Sequence, residues 1–313
     1  MNLVIGAVTI GFILALLGLG VFLSYRVYHL VDLTADGSFG IGVAVAAALL
    51  VHGAPPLAAT AAAVVAGGLA GAITGFLHTR FQVNALLAGV LTSTALYSVS
   101  LFVMGSGNLS LASTRTLVTQ AQRLGAALGL PETVTLLGTE VQSSNLATLV
   151  LMGLLAAVFA VALTRFLGTD LGTAMRAAGN NPQMARAVAI DVEAMVVLGL
   201  GVSNGLIGLS GALITQYQGF ANITMGVGAI VTGLANLMVG ETLFGRRSIG
   251  RWITGAVLGA VVFRLLVAAA IRAGLNADAL KLVTAVFVLA VLIVPQWGAR
   301  LRRPRVEGVR AHG

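Results

Sequence analysis

Apolar residues run along this chain in stretches of about 20, broken by short polar turns. A stretch of that length crosses about 30 Å of hydrocarbon as a helix. The pattern predicts nine spans, at 3–23, 37–52, 57–77, 83–104, 146–167, 193–215, 226–240, 252–273 and 281–297. In lipid a helix satisfies its own backbone, which loops and open sheet edges do not. The expected fold is therefore all-α, a polytopic transmembrane helical bundle in one domain, 1–313. The second and seventh spans are short: about 15 residues reach only about 22 Å, so both read as broken spans. The longest gap, 105–145, contains Pro131 and leaves room for a short helix lying on the membrane face.

Composition agrees with the pattern. Hydrophobic residues make up 58% of 313 and charged residues 9%, against about a quarter charged in soluble domains. The 40 glycines suit close helix approach. Gly67, Gly71 and Gly75 form two small-xxx-small steps, and Gly201 and Gly205 a third. The net charge of +8 is no nucleic-acid signal, because the basic residues lie in short loops and in a C-terminal tail, 298–313. Arg26, Arg80, Arg165, Arg176, Arg186, Arg246, Arg247, Arg251 and five tail arginines fall on one side. Arg115, Arg123, Arg272 and Lys281 fall on the other. The positive-inside rule makes the first side cytoplasmic. The N-terminus is then outside, the C-terminus cytoplasmic and the loop 105–145 external. The first apolar stretch has no basic leader and reads as a span, not a cleaved signal. With no cysteine there is neither a disulfide nor a thiolate metal site.

The chain also resembles itself. "YHLVDLTADGSFGIGVAVA" (28–46) is similar to "GFANITMGVGAIVTGLA" (219–235), pairing Asp32 with Asn222 and Thr34 with Thr224 at one offset of 190. Each stretch leads into one of the short spans. "FQVNALLAGVLTSTAL" loosely echoes "LNADALKLVTAVFVLA" further on. Two four-span halves result, 1–104 and 193–297, offset by five crossings. An odd offset makes the repeat inverted, and paired short glycine-interrupted spans in such halves point to a transport path. Asp32, Thr34, Asn222, Thr224 and Asn236 are the candidate path residues. If Asp32 and Asp36 dip into the membrane they mark function; at the rim they are loop acids that cap the next helix. Asn84, Thr92, Ser93 and Thr94 give span four a polar stripe, for interhelical hydrogen bonds or for a pore. Gln216 and Tyr217 close span six, and Arg264 lies inside span eight, where it snorkels outward or faces an acid or a wet cavity.

Between spans five and six lies "GTDLGTAMRAAGNNPQMARAVAID", 168–191, with more charge than its neighbours. "LGTDLGTAMRAAG" predicts a short helix. Asn181 followed by Pro182 predicts an N-cap and the first residue of a second one. That second helix places Met184 and Val188 on one face. A cytoplasmic amphipathic elbow either docks on a partner or rests on lipid headgroups.

"MRAAGNNPQMARAVAID" resembles the cytoplasmic loop of membrane subunits of ABC importers in the branched-chain amino-acid and simple-sugar group. "DLTADGSFGIGVAVAA" is similar to the second span of that family's tryptophan- and tyrosine-type systems, and "KLVTAVFVLAVLIVP" to its last span. One departure is Ala189 where the family usually has glycine. The resemblance implies a permease in a bacterial inner membrane, paired with a second copy of itself. It implies a separate cytoplasmic ATPase and an external solute-binding protein as partners, with no cofactor. The elbow would be a coupling helix. Pro182, Gln183, Met184, Ala185 and Arg186 would form its docking face, with Arg176, Gly179, Asn180 and Asn181 shaping it.

The chain has no phosphate-binding loop, since its one lysine, Lys281, follows no glycine-rich stretch. It is not expected to hydrolyse ATP. His29, His52, His78 and His312 show no metal-ligand spacing. The rival reading is an ion-coupled secondary transporter built on the same repeat; a passive channel or a scaffold leaves the elbow unexplained.

Overall fold

The computed structural model describes residues 2–127, 133–136, 139–245 and 248–274, with 282, 286 and 289. In chain order the helices begin with α1 (Asn2–Phe22), continued by a π-helical turn at Leu23–Val27. Then come α2 (Thr34–Val51), α3 (Pro56–Arg80) and α4 (Ala85–Met104). After strand β1 (Asn108–Ser110) follow α5 (Leu117–Ala127), the strands β2 (Thr133–Leu136) and β3 (Thr139–Gln142), and α6 (Ser143–Phe166). Two short helices, α7 (Asp170–Asn180) and α8 (Pro182–Ala187), lead to α9 (Val192–Gln218). Strand β4 (Phe220–Asn222) and a 3-10 turn (Ile223–Gly226) precede α10 (Ala229–Phe244) and α11 (Ile249–Arg272).

Among the described residues eight helical segments are long and apolar enough to cross a membrane. They match the first eight spans read from the pattern. All but three positions of the ninth, 281–297, lie outside the described residues, as do Arg246, Arg247, Lys281 and the basic tail. The all-α expectation needs a correction. Strand β1 pairs antiparallel with β4, Asn108 opposite Asn222 and Ser110 opposite Phe220, and β2 pairs with β3. The linkers that close over the helix ends have backbone donors and acceptors to satisfy, and these pair with each other. Leu111 N–H donates to Gly219 O (2.9 Å) and Ile223 N–H to Gly107 O (3.0 Å), which extends the clamp. The short helix expected in this loop is α5.

Local sequence sets the helix ends. Asn84 caps α4 by accepting from Leu86 N–H, and Asp191 caps α9 by accepting from Ala194 N–H. Gly219 closes α9 with φ of +76°, a conformation other residues adopt at a cost.

Helix α9 is the hub. Of its most apolar 18-residue window 78% is buried, against 22% for α4, so α4 is an outer helix. Helices α1, α2 and α3 pack on α9. Small residues bring the backbones together, as expected where lipid supplies no hydrophobic drive between helices. A methyl group on Gly67 would lie 2.5 Å from Asn204 O, and on Gly75 2.8 Å from Val197 Cα; on Gly71 it would overlap Leu200 O. The sequence step 67–71–75 is thus the seam of α3 against α9. Hydroxyls add to the seams: Ser203 donates to Gly20 O (2.7 Å) and Ser210 to Ile13 O (2.8 Å), joining α9 to α1.

Replacing Gly71 with Ala is expected to lower the thermal stability of the detergent-solubilised protein by about 1–3 kcal/mol, the usual cost of overpacking. Gly68→Ala, whose new methyl meets nothing closer than 3.4 Å, serves as the control and is expected to leave it nearly unchanged.

Candidate functional site

The elbow between α6 and α9 is a folded unit. Thr169 caps α7, its hydroxyl accepting from Gly172 N–H (3.2 Å) and donating to Phe166 O (2.6 Å). Gly172, Met175 and Ala178 form the buried face of α7. Gly179 lies on the Val27 carbonyl, where a methyl group would overlap it. Arg176 is half-buried and donates to Thr173 Oγ1 (3.0 Å). Asn180 is exposed at the end of α7. Asn181 then caps α8, its Oδ1 accepting from Met184 N–H (3.0 Å), with Pro182 in the first turn as the sequence predicts.

Pro182, Gln183, Met184 and Arg186 are exposed, Met184 by 52%. Val188, 61% exposed, continues the apolar patch begun by Met184. Ala185, the remaining residue of the expected docking face, is fully buried. A six-residue helix lying flat turns one side inward, and its smallest residue is the one that fits. After α8 the chain closes in a Schellman turn. Ile190 N–H donates to Ala185 O (3.0 Å) and Ala189 N–H to Arg186 O (3.1 Å). Ala189 has φ of +62°. The turn typical of glycine is kept with alanine in it, at a cost of roughly 1 kcal/mol.

The elbow's seat is the end of α1. Tyr28, next to Val27, donates its hydroxyl to Met195 O (2.5 Å) in α9. Burial pushes that hydroxyl well above its ordinary pKa, so it remains a donor. Arg26 makes a two-point ion pair with Glu241 near the end of α10, Nε to Oε1 and Nη2 to Oε2. The guanidinium also lies 5.0 Å from the centre of the Tyr25 ring. Three elements therefore meet at one π-helical turn.

Six residues on, the chain places Asp32 among α2, α3, α4 and α9, only 4% exposed. Its Oδ1 accepts from Thr34 N–H (2.9 Å) and its Oδ2 from Asn204 Nδ2 (2.6 Å). Asn204 lies twelve residues into α9, about 18 Å along that helix. The Thr34 and Thr74 hydroxyls share a hydrogen bond of 2.7 Å between α2 and α3. Gly89 lets α4 pass close by, since a methyl there would lie 3.0 Å from Leu33 N. Asp36 does cap a helix, though not α2. Its two oxygens accept from Gly228 N–H (3.0 Å) and Ile230 N–H (2.8 Å) at the start of α10.

The five candidate path residues lie in three places. Asp32 and Thr34 are together. Asn222 and Thr224 are together at the β1–β4 end, with Asn222 Oδ1 accepting from Thr224 N–H (2.8 Å). Asn236 is buried against α1 and donates to Leu14 O (3.1 Å). Asp32 and Asn222 make the same local turn, each side-chain oxygen accepting the N–H two residues on. Sequence reading overlooked Asn204, Thr74 and the Arg26–Glu241 pair. The available signal was a lone asparagine between glycines in an apolar run, and a lone acid in the loop after span seven.

Comparison with known proteins agrees with this architecture. A family model described as the branched-chain amino acid transport system permease component matches residues 3–294. The tyrosine transport system permease protein of Clostridioides difficile is 31% identical over 307 residues, covering 98% of this chain and 96% of that protein. An uncharacterized protein of Rickettsia prowazekii is 32% identical over 244 residues, 78% of this chain and 79% of its own length. No solved structure matches.

Two outcomes check the geometry. Ala189→Gly is expected to stabilise the protein by about 1 kcal/mol in thermal unfolding, by removing the left-handed strain. Asp32→Ala leaves Thr34 N–H and one of the two Asn204 amide hydrogens, the other being held by Leu200 O (3.0 Å), without a partner in the interior and is expected to cost about 2–4 kcal/mol, read as loss of monodisperse protein in size-exclusion.

Proposed function

From the premise that the chain belongs to the branched-chain amino acid transport system permease family, the membrane subunits of ABC-type importers, we propose that 168–191 is its ATPase-docking elbow. The observation that carries this reading is a rigidly seated short helix with an outward face of Pro182, Gln183, Met184 and Arg186. An exposed methionine beside a cation suits a protein groove that is apolar with an acidic rim. Arg176, Gly179, Asn180 and Asn181 build the seat, and Ala185 anchors it.

The chain takes a small amino-acid-like solute from an external binding protein. The 31% identity to a tyrosine permease favours an aromatic amino acid. It works as one permease domain beside a second copy, with the N-terminus outside and the basic tail in the cytoplasm. The halves 1–104 and 193–297 form an inverted repeat with short second and seventh spans. The matching turns at Asp32 and Asn222 support that repeat. A push on the elbow reaches Val27 first. From there it passes through Arg26 to α10 and through 28–33 to Asp32 and Thr34. Asn222, Thr224 and Asn236 are the further path residues of the second half.

The double variant Met184→Ala, Arg186→Glu tests the docking role. It is expected to weaken co-purification with the partner ATPase by about thirtyfold, the effect of losing a contact worth about 2 kcal/mol. ATP-driven solute uptake should fall with it, while the amount of folded permease stays the same. Undiminished association and uptake would refute the docking role.

A further inference from the structure

A cavity of about 110 Å³ lies between α2, α4 and the turn before α10. Asp36 and Gly37 line it from one side, and Gly226 and Val227 from another. These are the same positions at the offset of 190 that pairs Asp32 with Asn222. Asp36 and Gly226 are in fact in contact: a methyl group on Gly226 would overlap Asp36 O. Equivalent residues touch each other only near the axis that relates two repeats. The cavity therefore lies where the two halves meet, the place at which inverted-repeat transporters hold their solutes.

Its chemistry is unlike that of the surrounding seams. Helix α4 contributes Ser93, Tyr97 and Ser100, a stripe of three hydroxyls on one face. Ser100 is 2% exposed and its hydroxyl has no hydrogen-bond partner among the described residues. A buried hydroxyl normally has one, so this one has capacity left for a ligand. Asp36 binds two backbone N–H groups and pairs with no arginine or lysine among the described residues. A carboxylate offers about four acceptor positions, so about two remain. Above Gly40 a methyl group would meet nothing within 4 Å, so the floor is open. The wall is thus one anion and three hydroxyls set among bare glycine backbone and the apolar side chains of Ile223 and Val227.

We propose that this cavity is a solute station that receives the ammonium group of an amino acid, with Asp36 supplying the charge and Ser93, Tyr97 and Ser100 accepting N–H hydrogens. The identity of the solute as an amino acid rests on the permease reading above; the preference for a primary ammonium rests on the cavity alone.

The natural chain has no cysteine, so a single introduced thiol reports on one place. Ser100→Cys, with Tyr97→Cys as a second variant, is reacted with matched methanethiosulfonates carrying an ammonium or a sulfonate. The ammonium reagent is expected to react about tenfold faster or more, the scale of charge focusing in a cleft. Tyramine should slow labelling, whereas 3-(4-hydroxyphenyl)propionate, its match in shape with a carboxylate and no amine, should not. Equal rates for the two reagents, no labelling of either variant, or equal protection by both compounds would overturn the station. ATP-driven uptake of L-tyrosine by the cysteine-free chain with its partners is measured alongside. Uptake without tyramine protection would sink the cavity and spare the permease reading. Protection without uptake would spare the cavity and sink the amino-acid assignment.

Discussion

A carboxylate withdrawn from water costs several kcal/mol unless polar groups surround it closely. Asp32 imposes that demand on this bundle. Its answer is one backbone N–H from its own turn and one amide hydrogen from Asn204. To bring Asn204 within 2.6 Å, α9 must lie against the start of α2. To leave room, α3 must pass with Gly71 on the Leu200 carbonyl, and α4 with Gly89 beside Leu33. The Thr34–Thr74 bond fixes α2 to α3 at the same level. Four helices are spaced by what one acid needs.

The same stretch of chain ties that acid to the elbow. Residues 26–34 hold in turn the ion pair to α10, the seat of Gly179, the Tyr28 bond to α9 and the Asp32 turn. A π-helical turn replaces ordinary helix where this begins, at Leu23–Val27, a device found often at functional positions. It adds one residue to the turn and re-aims the side chains that follow. The permease family model matches nearly the whole chain, and within this member these contacts join the elbow to Asp32.

Much of this was legible beforehand. Span lengths follow from the thickness of hydrocarbon, and the apolar runs state them directly. The start of α8 was written in Asn181-Pro182, because both residues act locally. What was hidden depended on distant partners. Asp32 and Asn204 are 172 residues apart, and Arg26 and Glu241 215. Nothing in either neighbourhood names the other. The β1–β4 pair was hidden for the same reason, being made of linkers whose strand pattern is three residues long. That Ala185 faces inward was hidden as well, because six residues cover less than two turns, too few for periodicity to separate inside from outside.

The glycine seam between α3 and α9 carries one more consequence. Where two helices touch largely through main-chain atoms, few rotamers lie between them to adjust, and a sliding motion would bring carbonyl oxygens into collision. These two helices form a single stiff spar through the molecule. Deformation is then left to the stretches outside these two helices, among them 28–33 and 219–228, which also resemble each other in sequence.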